Sequence, residues 1–232
     1  MFPYESLLVG LFTIWQGPDN ETCHALGIHK RNEVLVGFSR DGFHWDRSNR
    51  NRFLGVSEDP KAWNAGNVQS VGGGCLVVGD KLYFYCSGRT MQPADSGATG
   101  LATMRRDGFA SMDAGDVQGS LTTKLLKFSG ANLFVNLESQ RGGLQVEVMD
   151  EQGKVIDEFS RDKCLPLVGD SAKMMVRWRG GEDLSSLVGK PVRLRFYLTN
   201  GSLYSFWVGD AKGASNGYVG AGGPGFINNQ DK

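Results

Sequence analysis

The most informative candidate ligand residues in this sequence are a tryptophan and the asparagine and glutamine residues that follow it. Trp63-Asn64-Ala65-Gly66-Asn67 is followed closely by Gln69. An indole stacks on the apolar face of a sugar ring, and the amides of Asn and Gln hydrogen-bond to its hydroxyls. Trp63, Asn64, Asn67 and Gln69 are therefore candidate carbohydrate ligands. The alternative is a Trp packed over a sheet edge, with amides that satisfy loop backbone.

Other chemically suggestive residues favour structural roles. Asp41 and Asp107 each precede a Gly, in a turn where an Asp side chain bonds to its own backbone. His24 and His29 lie five residues apart in a polar segment, a spacing typical of ordinary loop histidines. A phosphate loop lies between a strand and a helix and is followed by Lys-Ser or Lys-Thr, and the glycine-rich segments do not have this arrangement. The sequence also has no nucleophile elbow. We predict neither a cofactor nor a metal.

Composition narrows the range of partners. The 25 Lys and Arg residues balance the 25 Asp and Glu residues, so we predict no nucleic-acid partner and no polybasic membrane patch. No apolar run approaches the roughly 18 residues of a transmembrane helix, and no signal-peptide pattern is present. The four cysteines (Cys23, Cys75, Cys86 and Cys164) lack metal-site spacing and are predicted to be free and mostly buried. They leave the localisation open.

A repeated peptide indicates how these residues are positioned. Asp-Gly-Phe follows an Arg both at residues 40–43 and at residues 106–109, each time after a short apolar strand. Repeated short strands and tight turns favour stacked or radial β-units. Within residues 1–115 we predict two antiparallel units. The second has four strands, including a hairpin across Gly79-Asp80 and a last strand from Phe109. The first is the same unit with its innermost strand short or cut away.

The second half has a different strand pattern. Several short alternating segments between residues 116 and 210, without a convincing helix, predict a β-sandwich. Within it, Asn200-Gly201 predicts a two-residue hairpin. Residues 211–232 are rich in Gly, Asn and Ser and are predicted to form an extended tail. The expected fold class is all-β.

The predicted hairpin would bring aromatic and basic side chains together. Tyr197, Tyr204 and Phe206 would share one strand face with Arg193 and Arg195. This face could bind carbohydrate, or it could be buried against the first domain, which is the alternative that we favour.

Together, these features resemble a known family. Two β-units containing Ser-Arg-Asp-Gly-Phe-His-Trp at residues 39–45, followed by strands ending in Leu-Tyr-Ser-Phe-Trp-Val at residues 203–208, resemble the C-terminal part of the glycoside hydrolase family 32 and 43 type. The resemblance implies a five-bladed β-propeller joined to a concanavalin-like β-sandwich. It covers roughly residues 1–210 and implies a glycosidase that acts on furanosides or related glycans.

The resemblance also implies site residues. The family's general acid is a Glu near the start of an inner strand, which points to Glu5 as the candidate acid. A glycosidase acid needs a raised pKa to protonate the departing oxygen. The propeller geometry places Arg89 in a loop on the same face as Glu5 and the Trp63 group, as a further substrate ligand. Alternatively, Glu5 is a solvated residue near the N-terminus.

Only about two of five blades are recognisable, so the sequence predicts a fragment with an incomplete active site. We expect a glycoside-hydrolase-like protein without activity on its own, or alternatively a non-catalytic carbohydrate-binding or structural module. Unpaired sheet edges predict self-association.

Overall fold

A computed structural model describes residues 1–28, 30–91, 96–181 and 183–213. Strand accounts for 51% of the chain and helix for 8%, which confirms the all-β class. The strands are β1 (Phe2–Tyr4), β2 (Leu7–Gly17), β3 (Arg31–Ser39), β4 (Asn67–Val71), β5 (Leu76–Val78), β6 (Lys81–Arg89), β7 (Gly97–Arg105), β8 (Met112–Ala114), β9 (Gly119–Thr122), β10 (Asn132–Met149), β11 (Leu167–Met175), β12 (Arg193–Thr199) and β13 (Gly201–Gly209). One α-helix, α1, spans Asn20–Leu26, and short 3₁₀ helices span Asp157–Phe159, Arg161–Lys163 and Leu184–Leu187.

The described strand pairs are all antiparallel, and the chain divides into two compact units. Unit 1 is Met1–Arg106, and unit 2 begins at Asp107. The residues from Asp107 to 115, predicted with the first domain, therefore belong to the second unit. No helix among the described residues has the length and apolarity needed to span a membrane.

Unit 1 contains two sheets. The first has the order β1-β2-β3, and its strand β1 is only three residues long. In the second, β6 pairs with β7 along one edge and with β4 and β5 along the other. The hairpin across Gly79-Asp80 is confirmed, because Val78 pairs with Lys81. The predicted fourth strand is absent from this sheet, since β8 pairs with β13 in unit 2.

The two sheets of unit 1 pack through apolar side chains. Val34 of β3 and Val68 of β4 are buried together with Val56. The rings of Phe53 and Phe84 meet edge to face, with their centroids 5.3 Å apart. Alternation along β6 explains the contact, because its even-numbered residues from Leu82 onwards are buried and face one side. Sheet-to-sheet burial therefore holds unit 1 together.

Unit 2 is organised around the 18-residue strand β10. Its first half pairs with β13 and its second half with β12, while β11 follows the opposite edge. Strand β8 adds to β13 and β9 adds to β12, which gives one coiled, nearly barrel-shaped sheet. The buried residues form one cluster that includes Leu133, Val146, Trp178 and Phe196. Unit 2 thus has a core of its own.

The predicted hairpin at Asn200-Gly201 is wrong. Thr199 lies opposite Gly143, and Ser202 lies opposite Glu138, so β12 and β13 continue along the same edge of β10 without reversing. Asn200 adopts a positive φ of 45°, and the hydroxyl of Ser139 donates to the carbonyls of Thr199 and Asn200. Asn tolerates a positive φ, and at Asn200 this φ bends the strand edge formed by β12 and β13. In a hairpin, the same positive φ would belong to the turn that ends a strand.

The aromatic face predicted from that hairpin is consequently divided. Arg193, Arg195 and Tyr197 lie on one face of β12, opposite the buried Leu194 and Phe196. Phe206 packs on the core of unit 2, with its ring centroid 5.0 Å from that of Phe196. The register shift between Asn136 and Leu137 of β10 changes the alternation along β13.

The two Asp-Gly turns are stabilised differently. The Asp41 carboxylate accepts hydrogen bonds from the backbone amides of Phe43 and His44 at 2.9 and 2.8 Å, which confirms its structural role. Only a single bridge, Phe38 to Asp46, continues the predicted outer strand. Asp107, with a φ of 56°, accepts a hydrogen bond from the hydroxyl of Ser205 at 2.6 Å.

The Asp41–His44 contact should make the stability of unit 1 depend on pH. Hydrogen bonding to Asp41 raises the pKa of His44 above 6.5, and the hydrogen bonds from His44 hold the pKa of Asp41 far below 3.8. The stabilisation is therefore fully present between these two ordinary values. It is lost as the pH rises through the folded pKa of His44, or falls through that of Asp41. His44→Ala should lower the melting temperature more at pH 5.5 than at pH 9, by a small amount because both groups are exposed.

The matched control for this pH dependence is Phe43→Ala, which removes an exposed side chain of the same turn that has no ionisable group. Its effect on the melting temperature should be the same at both pH values. An equal loss for His44→Ala at pH 5.5 and pH 9 would contradict the assignment.

The cysteines agree with their prediction. All four are free, and Cys23, Cys86 and Cys164 are buried. Burial raises the pKa of the half-buried Cys75 thiol to about 11, so this thiol is protonated at neutral pH.

Candidate functional site: an open cleft beside Trp15

The indole of Trp63 packs on the second sheet of unit 1. A Cβ atom added at Gly88 would lie 2.6 Å from Cζ3 of Trp63, and one added at Gly100 would lie 2.7 Å from Cε2. These two glycines lie on the buried face of β6 and β7, so the absence of side chains there creates the space that the ring fills. Trp63 is therefore a packing residue in this structure.

The amides near Trp63 bond mainly to backbone. The Asn64 amide donates to the carbonyl of Gly55 at 3.1 Å. Asn67 is 4% exposed, and its side-chain oxygen accepts from the backbone amide of Asn32 at 3.3 Å. Both side chains follow the structural alternative stated for them above. Gln69 is exposed, and its backbone carbonyl accepts from the hydroxyl of Thr13.

Arg89 lies beside this group, but Glu5 does not. Arg89 pairs with Asn67 at the far end of β6. Glu5 occupies the turn between β1 and β2, with a φ of 47°, and its carboxylate lies 3.4 Å from Arg106, next to the start of β6. The nine residues of β6 separate the two places by roughly 26 Å, at about 3.3 Å per residue. The expectation that Glu5 shares a face with Trp63 and Arg89 is wrong.

An open cavity of about 740 Å³ lies at the same end of unit 1 as Asn67. Its lining residues are one aromatic and five polar side chains: Trp15, Asp19, Asn20, Glu21, Lys30 and Asn32. Trp15 is 57% exposed, which is unusual for a tryptophan in a folded protein. The cavity therefore offers an aromatic surface together with amide and charged groups.

The local sequence explains how the cavity is built. Trp15 lies near the end of β2, and Asn32 lies at the start of β3, opposite it in the register. Between the two strands the chain forms α1, capped at its N-terminus by the Asp19 carboxylate and at its C-terminus by Gly27 with a φ of 61°. Cys23 is the one buried residue of α1. The helix residues Asn20 and Glu21 line the cavity together with Trp15.

The carboxylate of Asp19 is committed to the helix cap. It accepts from the backbone amide of Thr22 at 2.9 Å and from its hydroxyl at 2.8 Å. These hydrogen bonds lower the pKa of Asp19 below 3.8, so this carboxylate is ionised at neutral pH. Glu21 follows in the first turn of α1 and is exposed.

A buried carboxylate stabilises the strand that carries Asn32. Glu33 is 7% exposed, and its Oε1 accepts from Nε and Nη2 of Arg31 at 3.1 and 2.8 Å. The guanidinium of Arg52 lies 3.5 Å from the same oxygen. Sequence reasoning missed Glu33, because alternation along β3 does not distinguish a paired carboxylate from a surface one.

Histidine positions give no metal site in the described chain. His24 lies in α1 and is exposed, whereas His29, Asp95 and the tail from residue 214 lie outside the described residues. Within the described ranges, no three His, Cys, Asp or Glu side chains form a group that could hold a metal ion.

Comparisons with family models, curated proteins and solved structures found no match to this chain.

Proposed function

We propose that the chain is a carbohydrate-binding protein on a glycoside-hydrolase-like scaffold, with the ligand in the cleft beside Trp15. In this proposal the two sheets of unit 1 are consecutive blades of a β-propeller, and unit 2 is the appended β-sandwich. The face-to-face burial of Val34 and Val68 supports the blade interpretation, because adjacent blades pack in this way.

The exposed indole of Trp15 is the observation that carries the binding proposal. Water contacts more than half of this side chain, although its apolar surface would favour burial. The amides of Asn20 and Asn32 line the same cavity and offer both donors and acceptors. An apolar ring face surrounded by a few polar groups is the combination that recognises a sugar.

The carboxylates support binding without hydrolysis. A glycosidase acid lies in surroundings that keep it protonated near neutral pH, opposite a second carboxylate. Among the described residues of the cleft, Asp19 is ionised in a helix cap and Glu21 is exposed. Glu5 lies at the other end of unit 1 and is paired with Arg106.

Trp15→Ala should weaken glycan binding at least tenfold, which corresponds to about 1.4 kcal/mol. The measurement is calorimetric titration of the whole chain with neutral oligosaccharides, including furanose and pyranose series. The matched control is Phe43→Ala, which removes another aromatic ring of unit 1, 85% exposed and outside the cleft. Binding that both substitutions reduce equally, or that Trp15→Ala leaves intact, would refute the cleft as the site.

The same oligosaccharides and aryl-furanosides should not be hydrolysed. Turnover that Glu5→Gln abolishes would instead favour the glycosidase interpretation, with Glu5 as its acid.

A further inference from the structure

We propose that the outer face of β12 in unit 2 is a second binding site, which takes the sulfate or carboxylate group of an acidic carbohydrate. The face combines three arginines with a single buried carboxylate. This site is independent of the cleft beside Trp15 and does not depend on that proposal.

The strand register brings the arginines together. Arg193 and Arg195 alternate with the buried Leu194 and Phe196, so both lie on the outer face of the sheet. Arg161 belongs to the neighbouring 3₁₀ helix, and its guanidinium lies over the ring of Tyr197, 4.4 Å from the ring centroid.

Each of the three guanidinium groups is held by hydrogen bonds through one or two of its nitrogens. Arg195 donates through Nε to the hydroxyl of Thr122 at 3.0 Å and through Nη1 to Glu147 at 3.1 Å. Arg193 donates through Nη1 to the carbonyl of Thr123 at 3.1 Å. Arg161 donates through Nε to the side chain of Gln145 at 3.3 Å. These anchors reduce the conformational freedom that a ligand would otherwise have to restrict.

The remaining guanidinium donors have no acceptor among the described residues. They are Nε and Nη2 of Arg193, Nη2 of Arg195 and both terminal nitrogens of Arg161. Glu147, the one carboxylate of the network, is 6% exposed and also accepts from the hydroxyl of Tyr197 at 2.8 Å. Three cations against one anion leave two positive charges and several N–H groups for an oxyanion.

The surrounding side chains favour carbohydrate over nucleic acid. Ser120 lies opposite Tyr197 in the register, and Thr122 lies opposite Arg195, so hydroxyl groups border the arginines. The guanidinium of Arg161 covers one face of the Tyr197 ring, so a nucleic-acid base cannot stack on that face. The chain has no net charge, whereas nucleic-acid-binding proteins carry an extended basic surface.

The test is titration of the whole chain with dextran sulfate, with dextran, sodium sulfate and a short DNA duplex as comparisons. Dextran sulfate should bind much more tightly than dextran, whose neutral rings can enter only the cleft beside Trp15, and free sulfate should bind far more weakly. The double variant Arg161→Gln, Arg193→Gln should weaken dextran sulfate binding at least tenfold. It spares the Arg195–Glu147 pair, so that no buried carboxylate loses its partner.

Arg141→Gln is the matched control, because it removes an exposed arginine from the middle of β10. It should change binding less than twofold. An equal loss in the double variant and the control would overturn the site. Tighter binding of the DNA duplex, or free sulfate binding as tightly as dextran sulfate, would overturn the assignment to carbohydrate. Far-ultraviolet circular dichroism of the double variant checks that it folds.

Discussion

Unit 2 should lose about 3 kcal/mol or more of stability when Gly142 is replaced by alanine. The added methyl would overlap the carbonyl oxygen of Thr199 and lie 2.5 Å from its carbonyl carbon. The obstacle is backbone at the bend where β10 passes β12 and β13, so no rotamer change relieves it. Chemical denaturation followed by the fluorescence of the buried Trp178 measures the loss.

Gly119→Ala is the control for this prediction. It adds the same methyl group to strand β9, where the nearest atom is the Cβ of Ala114 at 3.5 Å. Its cost should stay below about 1 kcal/mol. Similar losses for the two variants would mean that β10 and the β12–β13 edge do not approach each other closely at the bend.

The second large effect concerns the Trp63 ring. Gly100→Ala should destabilise unit 1 by about 1–3 kcal/mol, because the new methyl occupies the space of the indole. Trp63→Ala should cost about 3–5 kcal/mol by leaving a cavity above Gly88 and Gly100. In the double variant the new methyl group occupies that cavity. The double variant should therefore lose less stability than the sum of the two single-variant losses.

The measurement is a double-mutant cycle in urea, with oligosaccharide binding followed in parallel. The Gly100→Ala variant should still bind wherever it is folded, because the sugar is assigned to the cleft beside Trp15. Strict additivity of the two stability losses would contradict the packing of the Trp63 ring on Gly100. Loss of oligosaccharide binding in a fully stable Gly100→Ala variant would instead make Trp63 a sugar ligand.

The parts of the fold that depend on local patterns could be predicted from the sequence. The strand alternation of β12, the hairpin at Gly79-Asp80 and the free cysteines follow from residue types and spacing. The bend at Asn200 could not be distinguished from a hairpin, because a positive φ serves both. Only the partner strand β10, more than fifty residues earlier in the sequence, decides between them.

The candidate site shows the same limit. Trp63 with its amides has the residue types of a sugar site, yet Gly88 and Gly100 provide a surface that turns the ring into packing. Trp15 lies within an apolar run, so nothing in the sequence marks its exposure. The capped helix α1 did leave a signal, since Asp19 and Gly27 have the spacing of a short helix with both caps.

The most direct test of the account follows the five tryptophan indole N–H signals by nuclear magnetic resonance during titration with a bound neutral oligosaccharide. Trp15→Phe and Trp63→Phe assign the two signals that matter. We expect the Trp15 signal to shift, together with the side-chain amides of Asn20 and Asn32, while the Trp63 signal stays in place. A shift of the Trp63 signal with Trp15 unchanged would contradict this expectation.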